Sequence, residues 1–281
     1  HPVGASYLSE LFRNSRGSAL GISGIGATIG LFFGPVISGA MNEVVGWRIT
    51  FYAFAAAAVA LGAVFIATAA EPEREEFGGA SGAGGWSRGL VIFLALEATV
   101  FTLREFAGWG GYYLLPVFCE TIYSSTTRYS GFIGGLQSVG GFIAQPLGGW
   151  LSDRFGRRAL MSGLLLFAAV FMAAIPFSGQ AGLVPTVFLY GIGYTATVPI
   201  IDAMIADRTP SRIRGGVFGI FMATGIGLSA AAPIVQAKIL DATGADFSGF
   251  TACFLMLAGA LLASMIVLLF FRNAEAVDPG V

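Results

Sequence analysis

Histidine is all but missing from this chain: of 281 residues only His1 is one, and only Cys119 and Cys253 are cysteines. No histidine-based metal centre or catalytic triad can be assembled from that stock, and the two cysteines lack metal-type spacing. Both lie in or beside apolar stretches and read as packing residues rather than a disulfide. Charge is scarce too. Asp, Glu, Lys and Arg make up 11% of the chain, against about 25% in soluble domains, and a net charge of −1 gives nucleic acid no purchase. There is no Gly-x-x-x-x-Gly-Lys phosphate loop, so ATP is not the energy source in this chain. No motif supports catalysis, and no cofactor is expected. The first residue is not Met and no signal-peptide pattern precedes an apolar core, so the chain reads as cut at its N-terminus.

What fills the chain instead is apolar. Hydrophobic residues make up 56%, the mean hydropathy is +0.78, and 41 glycines favour close helix–helix approach in lipid. A bilayer needs about 20 apolar residues per helix. Eight segments satisfy this, at 17–41, 47–70, 89–118, 128–151, 158–177, 181–206, 214–239 and 248–271, and residues 1–12 read as the tail of a ninth. The expected class is therefore an all-α integral membrane bundle. Between Glu71 and Arg88 runs Glu-Pro-Glu-Arg-Glu-Glu and then a Gly/Ser-rich stretch, a flexible linker between two bundles. The expected division is 1–70, linker 71–88, and 89–281.

Basic residues are lopsided. Eleven lie in one set of loops and tails: Arg13, Arg16, Arg74, Arg88, Arg154, Arg157, Arg158, Arg208, Arg212, Arg214 and Arg272. The alternate ends hold three, Arg48, Arg128 and Lys238, while Arg104 lies within a helix. The positive-inside bias puts the first set, the linker and the C-terminus in the cytoplasm. A shift of 198 lays Arg16-Gly17 on Arg214-Gly215, Gly21-Ile22 on Gly219-Ile220 and Pro35 on Pro233. Six helices separate the copies, which implies two six-helix halves with the first about 110 residues short. The chain then corresponds to helices five to twelve of twelve, plus the end of helix four.

Two motifs carry a family resemblance. Gly149-Trp150-Leu151-Ser152-Asp153-Arg154-Phe155-Gly156-Arg157-Arg158 resembles the loop motif of the major facilitator superfamily, joining two membrane helices as it does there. Gly21, Gly30, Gly34-Pro35 and Ser38-Gly39 resemble the fifth-helix signature of that superfamily's drug/proton antiporters, with Ser38 where the pattern has glycine. Gly30, Gly34 and Ser38 recur every four residues and predict one smooth packing face, and Pro35 predicts a kink near residue 31. The resemblance implies alternating access by a secondary transporter of the inner membrane, monomeric at full length, that exchanges a small molecule against protons. It also implies that Asp153 caps the helix starting at Gly17, whose N-terminal dipole suits a carboxylate.

The residues that most need explaining are Glu97, Arg104 and Glu105, all inside the apolar run 89–118. An ionised group at mid-bilayer costs about 2.5–3.5 kcal/mol on insertion scales, so it should face protein or water and find a partner. Glu97 and Arg104 share a face about 10 Å apart along the axis, whereas Glu105 points about 100° away from Arg104. Arg104 is therefore expected to meet Glu97 through water, substrate or another helix, the bland alternative being a structural ion pair. Trp109 follows among Gly108, Gly110 and Gly111 as a stacking candidate, with Tyr112 and Tyr113 as interface-belt aromatics or gate residues. Gln137, Tyr194 and Thr224 complete the expected cavity, with Tyr190, Thr195 and Thr197 as weaker candidates. Asp202 and Asp207 are expected to pair with Arg154, Arg157 or Arg158. The expected partners are a small-molecule substrate, protons and the lipid bilayer. Export is the leading direction; uptake of a small organic anion clamped by Arg104, a sensor on the same scaffold, and a transport-inactive fragment are the alternatives.

Overall fold

The computed structural model describes residues 2–68 and 88–275, so the expected linker lies outside the described residues except for Arg88. Those residues form helices, with no strand among them: α1 Pro2–Leu11, α2 Arg16–Thr68, α3 Arg88–Tyr123, α4 Thr127–Val139, α5 Gly141–Phe155, α6 Arg157–Ala174, α7 Gly179–Arg208, α8 Ser211–Ser229, α9 Ala232–Thr243 and α10 Phe247–Glu275. A short 3-10 turn, Ile175–Phe177, joins α6 to α7.

Five stretches are long and apolar enough to cross a membrane: Arg16–Thr68, Arg157–Phe177, Gly179–Arg208, Ile213–Thr243 and Phe247–Phe270. At about 1.5 Å per residue, the 53 residues of α2 would span ~80 Å. They hold two of the expected segments, divided where Gly46 takes φ 78° and ψ 162°, a left-handed conformation open to glycine. The backbone stays helical through Pro35, and the break that divides the two expected segments is at Gly46. Segments 89–118 and 128–151 are helical but do not meet the apolar measure. In α3 the charges of Glu97, Arg104 and Glu105 dilute it; α4 and α5 are rich in glycine and carry Gln137 and Gln145, both buried. Segment 128–151 divides at Gly140, and 214–239 at Ala230-Ala231 just before Pro233.

The apolar core sits among α3, α6, α7 and α10, around Val100, Leu115, Met161, Leu165, Val187 and Leu257. Phe118 of α3 meets Phe250 and Phe254 of α10 at ring distances of 5.5 and 5.2 Å. Two polar ties lock α3 in place: Ser264 donates to the Val100 carbonyl at 3.0 Å, and Gln236 of α9 donates to the Gly110 carbonyl at 3.0 Å. In lipid such bonds are favoured because no water competes for the carbonyls. Every residue from 51 to 68 is exposed and none is charged, which suits a helix surrounded by lipid rather than water.

Candidate functional site

Arg104 is 1% exposed in the middle of α3. Its Nε donates to Thr197 Oγ1 at 2.6 Å, its Nη2 donates to the Tyr194 carbonyl at 3.2 Å, and its Nη1 is ion-paired with Glu105. The guanidinium carbon lies 4.1 Å from the centroid of the Tyr194 ring. Thr197 Oγ1 passes the chain on by donating to the Tyr194 carbonyl at 2.6 Å. The acid that neutralises Arg104 is thus its sequence neighbour Glu105, contrary to the expectation from helical angle. A guanidinium on three methylenes is long enough to swing across that angle, and the Tyr194 ring and Thr197 hydroxyl hold it there. The charges of Arg104 and Glu105 also act on Asp202, which is buried one turn beyond on α7 and so belongs with this layer. Asp207, five residues on, pairs with the loop arginine Arg157, as expected of it.

Two glycines open space for the layer. A methyl on Gly108 would strike the Tyr194 ring, and one on Gly111 would lie 2.9 Å from Met172 and within 4 Å of Tyr190 Oη and Gln137 Oε1. Tyr190 stacks on Tyr194 at 5.8 Å, and the buried Tyr190 hydroxyl and Gln137 carbonyl oxygen have no hydrogen-bond partner. Arg104, Glu105, Tyr194 and Gln137 are therefore gathered between α3, α4 and α7, together with Tyr190 and Thr197 from the weaker candidates.

The other three candidates fall elsewhere. Glu97 is fully buried with both carboxylate oxygens unpartnered, and the charges that act on it are those of Arg158 and Arg208, not Arg104. Trp109 is half-buried and packs on its own helix, stacked over Tyr113 at 6.1 Å and edge-on to Tyr112. Thr224 is exposed and donates to the Ile220 carbonyl at 2.8 Å, the ordinary back-bond of a helical threonine.

The basic loop builds a ring of contacts, three ion pairs closed by the backbone at Gly17 and Ser18. Asp153 Oδ1 accepts the Gly17 N–H at 3.2 Å, and its Oδ2 accepts the Ser18 N–H at 3.0 Å and the Ser18 hydroxyl at 2.9 Å. Arg157 pairs with Asp153 at 3.1 Å and with Asp207 at 2.5 Å, and Asp207 accepts from Arg16 at 2.6 Å. Arg16 and Arg214, matched by the internal repeat, meet at Ser9: Arg16 donates to its carbonyl at 2.9 Å and Arg214 to its hydroxyl at 3.4 Å. Gly156 makes the turn with φ 91°, Arg154 is exposed over the Trp150 ring at 4.2 Å, and Arg158 lines a small cleft beside the ring.

From that ring, α2 runs along α5 and α4 to their far end. Gly17 and Gly149 meet so closely that neither has room for a methyl group, a methyl on Gly21 would lie 2.5 Å from the Gln145 carbonyl, and one on Gly39 2.8 Å from that of Thr127. Midway, Gln145 donates to Thr28 at 2.9 Å, buried. At the far end Glu43 accepts the Arg128 N–H at 2.8 Å, so a carboxylate of α2 caps the first turn of α4. Gly30 and Gly34 meet nothing within 4 Å and Ser38 bonds back to the Pro35 carbonyl, so the predicted smooth face is not the packing face. The contacts at 17, 21, 28, 35 and 39 keep a heptad-like phase, and residues 30, 34 and 38 fall outside it. Pro35 has no N–H for the Leu31 carbonyl, and Tyr112 of α3 donates to that carbonyl at 3.3 Å. Glu43, Gln145, Thr28 and Ser9 had no signal beyond being polar residues in apolar surroundings.

Long apolar helices around a buried charged layer define a multi-pass membrane protein. The sequence profile of the Major Facilitator Superfamily matches residues 1–130 and again 100–280, and the chain belongs to that family. It is 24% identical over 217 residues to the uncharacterized MFS-type transporter YuxJ of Bacillus subtilis, covering 74% of this chain and 55% of that protein. Over 163 residues it is 29% identical to human hippocampus abundant transcript-like protein 1, covering 56% of this chain and 32% of that one. Over 115 residues it is 30% identical to the probable nitrate/nitrite transporter NarK2 of Mycobacterium tuberculosis, covering 39% and 28%. The chain thus spans about half or less of the length of these relatives.

Proposed function

We propose that the protein is a secondary active transporter that moves a small molecule across the cell membrane by alternating access, with proton-coupled efflux as its direction. The observation that carries this reading is the buried Arg104–Glu105 pair with Tyr194 and Thr197, a charged layer inside a membrane bundle of this family. Such residues are expensive in lipid and are retained where a substrate or ion must pass. Residues 1–70 and 89–281 are the two halves, with the basic ring on the cytoplasmic side, and the α2 seam against α4 and α5 is the surface on which they rock. Asp153 at one end and Glu43 at the other latch that seam.

Efflux is favoured over anion uptake by how Arg104 is engaged. Each of its three nitrogens already has a protein acceptor, and its charge is met by Glu105, so a substrate carboxylate would have to compete with a built-in partner. The likeness to a probable nitrate/nitrite transporter supports an anion as cargo in the alternative reading, with Glu105 displaced by the anion. Arg104→Lys separates the two: anion uptake is lost, whereas export of a lipophilic cation or neutral compound falls modestly. Between the two acids, Glu105 is held by Arg104 while Glu97 has no donor at all, so Glu97 is the one that carries the coupled proton. The test is pH-driven export by the intact protein in everted vesicles. Retention of the full pH dependence in both Glu97→Gln and Glu105→Gln contradicts proton coupling at these acids.

A further inference from the structure

Glu97 sits one helical turn deeper on α3 than Phe93, and Phe93 is part of the wall of the small cleft at the basic end of the bundle. Arg157, Arg158, Met204, Asp207 and Arg208 complete that wall, around about 160 Å³. The guanidinium of Arg208 lies 5.2 Å over the Phe93 ring, covering the floor. Both charges that act on Glu97, Arg158 and Arg208, belong to this cleft. Among the described side chains, the remaining neighbours of α3 bring no further charge that acts on it. On α4 the only charged residue is Arg128, in the first turn and paired with Glu43. On α8, Arg214 is committed to the Thr209 carbonyl and Ser9. Lys238 and Asp241 of α9 lie near its C-terminal end, Asp202 of α7 feels Arg104 and Glu105, and α10 has no charged residue between 247 and 271.

Resting on the transporter reading above, we propose that this cleft is the port through which Glu97 releases its proton to the cytoplasm, with Phe93 and Arg208 as its cover. While the cover is shut, Glu97 is fully buried without a donor, and the protonated carboxyl is the form that such a site tolerates. When Arg208 swings off Phe93, water enters. The Oε–H bond of Glu97 breaks, the proton passes to that water, and the carboxylate left behind is stabilised by Arg158 and Arg208. A positive rim holds a carboxylate better than a carboxyl, so it favours release over uptake on this side. The pH gradient sets the direction of net flow, and the rim lets Glu97 empty on this side, as export by proton exchange requires.

Two readouts test this, neither of which needs substrate. The first is the infrared carbonyl band of a protonated carboxyl in the intact protein in everted vesicles, absent from Glu97→Gln. The expected result is that the band disappears when pH is raised on the cytoplasmic side alone, and that Arg158→Gln with Arg208→Gln demands a more alkaline cytoplasmic side. A band that answers only to the external side, or that ignores both arginines, overturns the port. The second readout places Glu97→Cys in a Cys119→Ala, Cys253→Ala background and adds membrane-impermeant thiosulfonates to either face. An anionic reagent is expected to react from the cytoplasmic face about tenfold faster than a cationic one, because the rim concentrates anions. Phe93→Ala is expected to accelerate both reagents. Reaction from the external face alone, or no preference between the reagents, overturns the proposal. A wild-type protein that moves no substrate sinks the transporter reading instead, and leaves these two readouts to be judged on their own.

Discussion

Removing one member of the Arg104–Glu105 pair should hurt far more than removing both. Arg104 is 1% exposed and Glu105 8%, so neither charge can turn to water when its partner is lost. Glu105→Gln leaves a buried guanidinium without its paired carboxylate, held by the Thr197 hydroxyl, the Tyr194 carbonyl and the Tyr194 ring, and Arg104→Met leaves a buried carboxylate. Breaking a buried pair from one side typically costs about 3–5 kcal/mol, because a bare charge remains in a medium that cannot solvate it. The double variant Arg104→Met, Glu105→Gln removes both charges, and Thr197 keeps its bond to the Tyr194 carbonyl. Its cost should fall short of the sum of the singles by at least about 2 kcal/mol, within the range measured for coupled neighbours. The assay is thermal unfolding of the intact protein in detergent, followed by tryptophan fluorescence. Singles that add to the double within about 0.5 kcal/mol would mean that the two charges do not meet, and would refute the reasoning.

The remaining predictions concern the seam and the caps. Asp153→Ala deletes a cap worth about 1 kcal/mol and a dipole interaction worth up to another ~1. The closed-to-open ratio of the seam should fall roughly 30-fold, with Asp153→Asn between it and wild type; spin-label distances between α2 and α5 read this, and unchanged distances in the alanine variant count against the latch. Gly149→Ala has no room against Gly17 and should lower the melting temperature, while Gly30→Ala meets nothing within 4 Å and should leave it unchanged or raise it. Equal effects at the two glycines would mean the packing phase is wrong. Glu43→Gln removes a charge from the first turn of α4 and should weaken the far end of the seam by about 0.3–1 kcal/mol, seen as faster hydrogen exchange at Arg128 and Tyr129. Asp246 caps α10 through the Ser248 and Gly249 N–H groups, and the Ser248 hydroxyl and these N–H donors hold its carboxyl below the usual carboxylate range. Because the folded value is the depressed one, the stability it adds is complete above the unfolded value of about 3.9 and fades as pH falls through the folded value. The melting-temperature gap between wild type and Asp246→Ala should therefore be constant near neutrality and close only in strong acid.

The fold was legible because a helix in lipid needs only length and apolarity, and both are properties of a contiguous stretch. What remained illegible depends on how helices are turned against each other. The glycines of α2 occur on several faces, and only contact with α4 and α5 decides that Gly17, Gly21 and Gly39 pack while Gly30 and Gly34 do not. Helical angle separates Arg104 from Glu105, but side-chain reach and the Tyr194 ring join them. Glu97 shares a face with Arg104 yet lies toward the arginines at the start of α6 and end of α7, which are over fifty residues away in sequence. The breaks at Gly140 and Ala230-Ala231 lie within continuous apolar runs whose composition hides them.

The central claim is that a charged layer at mid-depth serves proton-driven passage of a small molecule. Its most direct test is export of a lipophilic fluorescent cation by the intact protein in everted vesicles under an imposed pH gradient, with Arg104→Gln alongside. The account predicts export that stops when the gradient is collapsed and is lost in the variant. Export that ignores both the gradient and Arg104 would contradict it.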